Sequence, residues 1–307
     1  MADPTELFLA TMFSGEAYAS PDTGLLVASS LDGVSFRNIR DSPEPLYTPT
    51  GGLRDPMLLY RRGQWYMVFS YGGDISPLIF VAKSSDLLHW TSVVTLRLTP
   101  DTDPNYIDVP QWIVDPAGQA HIIACADATS NWVEIHPLSQ DPDTWGDEAN
   151  WSAVATLTDD AGEPIVQGNT FVTLRGDTYY MAFNGTLAFN GTKASPYYMR
   201  TSTSLTSGWS SARELDIDSS THAGDSENLL FLLDGTLRFY ISNGNFRRHV
   251  IWHVDSPDLG VTWTSPQPLR FEGFAPPGVN WAQVVRITDP EAIAACKTER
   301  CDGSSAP

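Results

Sequence analysis

Positive charge is scarce in this 307-residue chain: 18 lysines and arginines stand against 37 aspartates and glutamates, a formal charge of −19. So acidic a surface repels nucleic acid and anionic membranes, which excludes both as partners and favours neutral or cationic ligands. Cysteine is nearly absent too. Three residues are too few for a disulfide scaffold, although Cys296 and Cys301, in a C-terminal CKTERC segment, could close one small loop in an oxidising compartment. Cys125 falls in the apolar run His121 to Ala126 and reads as a buried free thiol. No apolar run approaches the roughly 18 residues of a membrane helix. No segment sustains apolar residues at i, i+3, i+4, i+7, and only Pro290 to Cys296 could form a helical turn or two. The chain also has no Ser-His-Asp order, no CxxC pair and no glycine loop leading into a helix to hold phosphate. Its six histidines show no metal-ligand spacing, so His89 and His121 read as structural and no metal ligand is assigned.

What the chain does have is aromatic residues, 11% of the total with ten tryptophans, and short apolar runs of strand length. That composition is shared by sugar-handling extracellular proteins and by β-rich cores. Repeats organise the runs. Five Ser/Asp-rich turns each end in an aromatic: SSLDGVSF at Ser29 to Phe36, KSSDLLHW at Lys83 to Trp90, SQDPDTW at Ser139 to Trp145, TSTSLTSGW at Thr201 to Trp209 and VDSPDLGVTW at Val254 to Trp263. Four units open with a matching hairpin: DPMLLYRRGQWYMVF, PQWIVDPAGQAHIIA, NTFVTLRGDTYYMAF and ENLLFLLDGTLRFYI. The first unit lacks that opening strand, and a lone apolar strand, Asn280 to Ile287, stands at the other end of the chain. The pattern predicts an all-β, five-bladed propeller closed by pairing the C-terminal strand with the N-terminal blade, which removes an exposed sheet edge. The expected blades are 6–40 with 279–288, 51–95, 106–157, 165–216 and 225–270, in one domain followed by a tail over 289–307. A two-sheet sandwich would also give many short strands, but it explains neither the five closing turns nor the displaced strand. The closing aromatics Phe36, Trp90, Trp145, Trp209 and Trp263 are assigned to packing between blades.

The first strand of each propeller blade lines the central channel. Counting back ten positions from the second strands (Trp65, Ala120, Tyr179, Leu237) gives Asp55, Pro110, Asn169 and Glu227. Polar side chains converging there are costly unless they bind something or one another. Two opposed carboxylates are what glycoside hydrolysis requires, one to protonate the leaving oxygen and one to activate water or attack the sugar. Blades II and V are separated by blade I, which favours the wider carboxylate spacing of an inverting reaction.

The sequence Arg54-Asp55-Pro56 before an apolar strand, the WYMVFS hairpin and the SSDLLHW closure resemble glycoside hydrolase family 43, five-bladed propeller glycosidases related to families 62, 32 and 68. The resemblance spans about Glu6 to Ile287. It implies that Asp55 is the general base of an inverting reaction and Glu227, in Gly-Asp-Ser-Glu-Asn, the general acid, with Asp225 in reserve. Where the family has a third carboxylate that raises the acid's pKa, this chain has Asn169, so the acid would depend on desolvation instead. Where relatives carry Trp-Ala-Pro-Glu/Asp, this chain has Asp108-Val-Pro-Gln111-Trp112. A histidine of the last inner strand, near a bound metal in relatives, is replaced around Trp281; no cofactor is expected, and nothing supports a calcium at the axis. The resemblance to family 32 fructosidases is narrower: Asp108-Val109-Pro110 lies where their acid-bearing element would fall, but no Asn-Asp-Pro-Asn segment precedes Arg54.

The expected function is therefore hydrolysis of arabinose-, xylose- or galactose-containing plant-type polysaccharides by a monomer. A glycan-binding propeller without hydrolysis and a fructosidase-like hydrolase are the alternatives. Arg54, Asp108, Gln111, Trp112, Asp225 and Trp281 are the candidate substrate contacts, the tryptophans because a flat ring stacks on a sugar face; Tyr71 is a further aromatic near the mouth. Selectivity is expected in loops such as Pro104 to Asp108 and Phe183 to Ser195. Sequons at Asn150, Asn184 and Asn190 suit a secreted glycoprotein, whose leader would be absent from a chain starting MADPTELF.

Overall fold

The computed structural model describes residues 5–14, 22–40, 42, 44–71, 76–98, 107–126, 131–166, 169–184, 196–218, 225–242, 250–274 and 280–298, with side chains for all of these except 225–227, 280, 281, 297 and 298. Its strands form five sheets. Blade II runs Leu53–Arg61, Gln64–Tyr71, Leu78–Ser84 and Thr91–Arg97, each antiparallel to the one before. Blades III, IV and V repeat this order from Ile107–Val114, Thr170–Arg175 and Asp225–Phe231 outward. Blade I is assembled from both ends of the chain. Asn280–Ile287 is its innermost strand, antiparallel to Leu7–Phe13, as the displaced strand predicted. Its outer edge holds a pairing that the repeat pattern did not foretell, Arg270–Glu272 running parallel to Ser35–Asn38.

Strand chemistry follows position in the blade. Leu7–Phe13 and Leu25–Ser30 are buried at every residue, because both faces meet neighbouring blades. The outer strand Ser35–Asn38 alternates exposed and buried, with one face in water. The closing turns share a mechanism: Ser30, Ser84 and Ser256 donate to Asp32, Asp86 and Asp258, whose carboxylates accept backbone N–H groups two to four residues on. The indoles of Trp90, Trp145, Trp209 and Trp263 donate to carbonyls within their own closing turns, at 2.8–3.1 Å. Trp145 and Trp209 are fully buried, Phe36 and Trp90 nearly so, and Trp263 partly, so the assignment to inter-blade packing holds.

The seam between blades V and I adds polar ties to a hydrophobic cluster that includes Phe8, Phe36, Leu230 and Ile251. Arg238 of blade V makes a two-armed pair with Asp255 at 2.8 Å and donates to the carbonyl of Asp32, while the Tyr240 hydroxyl donates to that of Gly33. At the C-terminal end, Pro290–Thr298 is a nine-residue helix, longer than a turn or two, started by Asp289 accepting from the N–H of Glu291. Its Ala292, Ile293 and Cys296 join the core between blades I and II. Cys296 is buried there as a free thiol, and Cys301 lies outside the described residues. Cys125 is half-buried rather than buried.

Candidate active site

The innermost strands neighbour one another in the ring order I, II, III, IV, V. Their downstream halves, among them Met57–Tyr60, Trp112–Val114 and Val284–Ile287, line an axial cavity of about 370 Å³. Asp55 precedes that lining, at the other end of its strand.

Four blades break strand register at or beside this level. Arg54 pairs with Ser70 and Met57 with Val68, so Asp55 and Pro56 together face Phe69. Asp108 pairs with Cys125 and Gln111 with Ile123, so Val109 and Pro110 face Ala124. Blade V shifts register around Glu227, between Ser226 and Asn228, and blade I at Trp281 and Ala282 opposite Met12. Bulges of this kind re-aim a side chain and gather beside active sites. Asp55 and Val109 take left-handed backbone, φ 50° and 49°. Ahead of a proline, and for a β-branched valine, such a conformation is strained and survives only where the surroundings impose it. The surroundings are visible: Gln283 of blade I donates to the Asp55 carbonyl at 3.1 Å and Thr11 donates to that of Pro56.

These registers correct the count from sequence. The turn joining Val114 to Ala120 is one residue longer than that joining Tyr60 to Trp65, so the counterpart of Asp55 is Val109 and not Pro110. Asn169 precedes a regular strand whose Thr170 pairs with Phe183, which puts it level with Arg54 and Asp108, one step away from Asp55. Asp225 shares that level through its pairing with Ser242.

Asp55 is 1% exposed. Its Oδ2 accepts long hydrogen bonds from Ser70 Oγ at 3.3 Å and the Val109 N–H at 3.4 Å, and among the described residues no donor reaches Oδ1. Burial holds its carboxyl protonated well above the usual carboxylate range. The like charge of Asp108 adds to this, and the Arg54 guanidinium 3.7 Å away opposes it without prevailing. Arg54 itself is buried and held closer to Asp108, at 2.7 Å. The site is thus two carboxylates sharing one guanidinium, with Asp108 the more exposed of the pair.

Three expected substrate contacts are relocated. Arg54 binds the two carboxylates and presents no charge to solvent. Gln111 is 1% exposed and uses both ends of its amide on blade IV, donating to the Thr170 carbonyl at 2.6 Å and accepting from the Val172 N–H at 2.9 Å. Trp112 is 4% exposed and stacks on Trp145, so it is core between blades and not a sugar platform. Tyr71 is half-buried with its ring against Gly51, whose φ of 89° and lack of room for a Cβ beside that ring favour glycine. The side chains of Glu227, Asp225 and Trp281 lie outside the described residues, as do loop residues 104–106 and 185–195. Sequence reasoning missed Ser70, Val109 and Gln283; the one available signal was a proline after both Asp55 and Val109, at matching places in sibling hairpins. Of the sequons, Asn184 is buried, the Asn150 amide donates to the Thr144 carbonyl, and Asn190 lies outside the described residues.

No protein-family profile matches the chain, and no curated protein matches it in sequence. Solved structures do. An exo-β-1,3-galactanase from Clostridium thermocellum superposes with a TM-score of 0.61 at 15% identity, over 94% of this chain and 72% of the galactanase. A family 43 endo-arabinanase from Bacillus licheniformis does so with a TM-score of 0.56 at 14% identity, over 90% and 93%. A family 43 β-1,3-galactosidase gives 0.55 at 13% identity over 83% of this chain, which spans only 55% of that enzyme's length. The likeness establishes the fold, the five-bladed propeller of family 43 enzymes.

Proposed function

We propose that the chain is an inverting glycoside hydrolase acting on galactose-, arabinose- or xylose-containing polysaccharides of the plant type. The observation that carries this is Asp55: a buried carboxylate on a strained bulge at the level where four inner strands break register, with one oxygen that no described donor reaches. A buried acceptor left so is costly and persists where function needs it. Asp55 would take the proton of the attacking water, and its raised pKa brings it nearer the pH at which a general base works best. Arg54 would hold Asp108 and bias Asp55 toward its ionised form. Glu227, at the register shift of blade V, would protonate the leaving oxygen, its own pKa raised by desolvation because Asn169 carries no charge. Asp108, Asp225 and Trp281 remain candidate sugar contacts, and the chemistry needs no cofactor. The galactanase and arabinanase likenesses guide the choice of substrates.

Incubation with β-1,3-galactan, arabinan, xylan and levan, read as release of reducing ends, tests the proposal. Release from one of the first three is the expected result. Release from levan alone would favour the fructosidase reading. Calorimetric binding without release from any would favour the glycan-binding reading, which the neutral Asn169 motivates.

A further inference from the structure

A second cluster of titratable side chains lies on blade III, away from the axis. His121 is on the second strand, Ala120–Ala126, while Glu134 lies on the third, Asn131–Ile135, with His136 just beyond it. Glu134 pairs with Ile123 and Ile135 with Ile122, so the period-two alternation of strands puts Glu134, His136 and His121 on one face, the two histidines opposite each other. Both Nδ1 atoms converge on one oxygen, Glu134 Oε1, at 2.7 Å from His121 and 2.8 Å from His136. Glu134 is 2% exposed, whereas a third of the His136 side chain meets solvent. On the far side of the His121 ring, Nε2 faces Asp115 Oδ2 at 3.5 Å.

We infer that His121, Glu134 and His136 bind one divalent transition-metal cation, Zn²⁺ or a close chemical equivalent, joining the second and third strands of blade III. The donor set, two imidazoles and a carboxylate, is one that zinc favours, and a solvent-facing side leaves room for water as fourth ligand. The three ligand atoms lie within 4.8 Å of one another. Bonds of about 2.0–2.1 Å in a tetrahedron place ligand atoms about 3.3 Å apart, so small rotations of the side chains accommodate the ion. Asp115 behind His121 stands where ligating histidines characteristically meet a carboxylate that fixes ring and tautomer. The chain's negative charge draws cations to the site. His121 pairs with Ile113, toward the end of the inner strand remote from Asp108, so the ion takes no part in chemistry at Asp55. Linear spacing of the histidines carries no signal of this cluster, because the contact is made across paired strands.

The test is calorimetric titration of the chelator-stripped protein with Zn²⁺, alongside the visible spectrum of its Co²⁺ complex. One saturable site per chain is expected, with four-coordinate cobalt bands and a melting temperature that rises with Zn²⁺. His136→Ala, a change at the exposed ligand, should weaken binding by about tenfold or more and abolish the cobalt bands. Its metal-free melting temperature should stay near that of the wild type. Glu134→Gln, which keeps shape and loses charge, should do the same to binding should His136→Ala fail to fold. No saturable binding, or binding unchanged in the folded variants, would overturn the inference.

Discussion

A single buried carboxylate sets both chemistry and stability at the proposed site. Burial raises the Asp55 pKa in the folded chain above the value of about 3.9 that holds in the unfolded one. The folded state therefore keeps a proton that the unfolded state has released. The stability linked to that proton is fully present below the unfolded pKa and is lost as pH rises through the folded pKa. Asp55→Asn escapes the loss, so at neutral pH the variant should melt above the wild type, with the gap closing in acid; scanning calorimetry across pH reads this directly. Asp108 gives a second prediction. Asp108→Asn removes the like charge and frees Arg54 for Asp55, both of which favour ionised Asp55. The acid limb of the kcat/KM profile should move to lower pH, and an upward or absent shift would contradict the electrostatics. None of this was legible beyond the identity of Asp55 itself: the motif Arg54-Asp55-Pro56 marked the residue, but its exposure and neighbours depend on which strand lies beside it.

At the scale of elements, the closing turns were readable and the bulges were not, for one reason. A Ser-x-Asp turn is a local device, its hydrogen bonds spanning two to four residues, so its sequence is its structure. A bulge exists only in the pairing of two strands, and one extra residue in a hairpin turn moved the count from Val109 to Pro110. The contacts of Gln111 and Trp112 were not legible for the same reason, since alternation cannot say whether a polar or aromatic side chain on an inner strand meets ligand or the next blade. Gln111→Leu tests the reassignment. It should strip the buried Val172 N–H of its acceptor, at about 1–3 kcal/mol, read as a lower denaturant midpoint. KM should not change, because both ends of the amide are held by blade IV.

The whole molecule is a ring, and a ring has a seam. Composition and repeats foretold the closure because Asn280 to Ile287 had no partner in its own unit, and the structure pairs it with Leu7–Phe13. The Arg238–Asp255 pair joins two neighbouring strands of blade V, but the bond from Arg238 to the Asp32 carbonyl was not foreseeable, since it needs blades V and I side by side. Arg238 and His253 hold Asp255 at a pKa of about 2, against burial. A depressed carboxylate pKa contributes stability above the unfolded value, lost as pH falls through the folded one. The contribution is on the order of 2 kcal/mol. Arg238→Ala should therefore lower the melting temperature at neutral pH, with its effect shrinking as pH approaches about 2.

The most direct test of hydrolysis at the axis compares the wild type with Asp55→Asn on whichever polysaccharide yields reducing ends. Loss of a general base costs about 10²–10⁴-fold in kcat; that loss, in a variant that binds substrate as before and melts no lower than the wild type, is the predicted result. A folded variant that retains kcat within about tenfold of the wild type, short of the range expected for a general base, would contradict it.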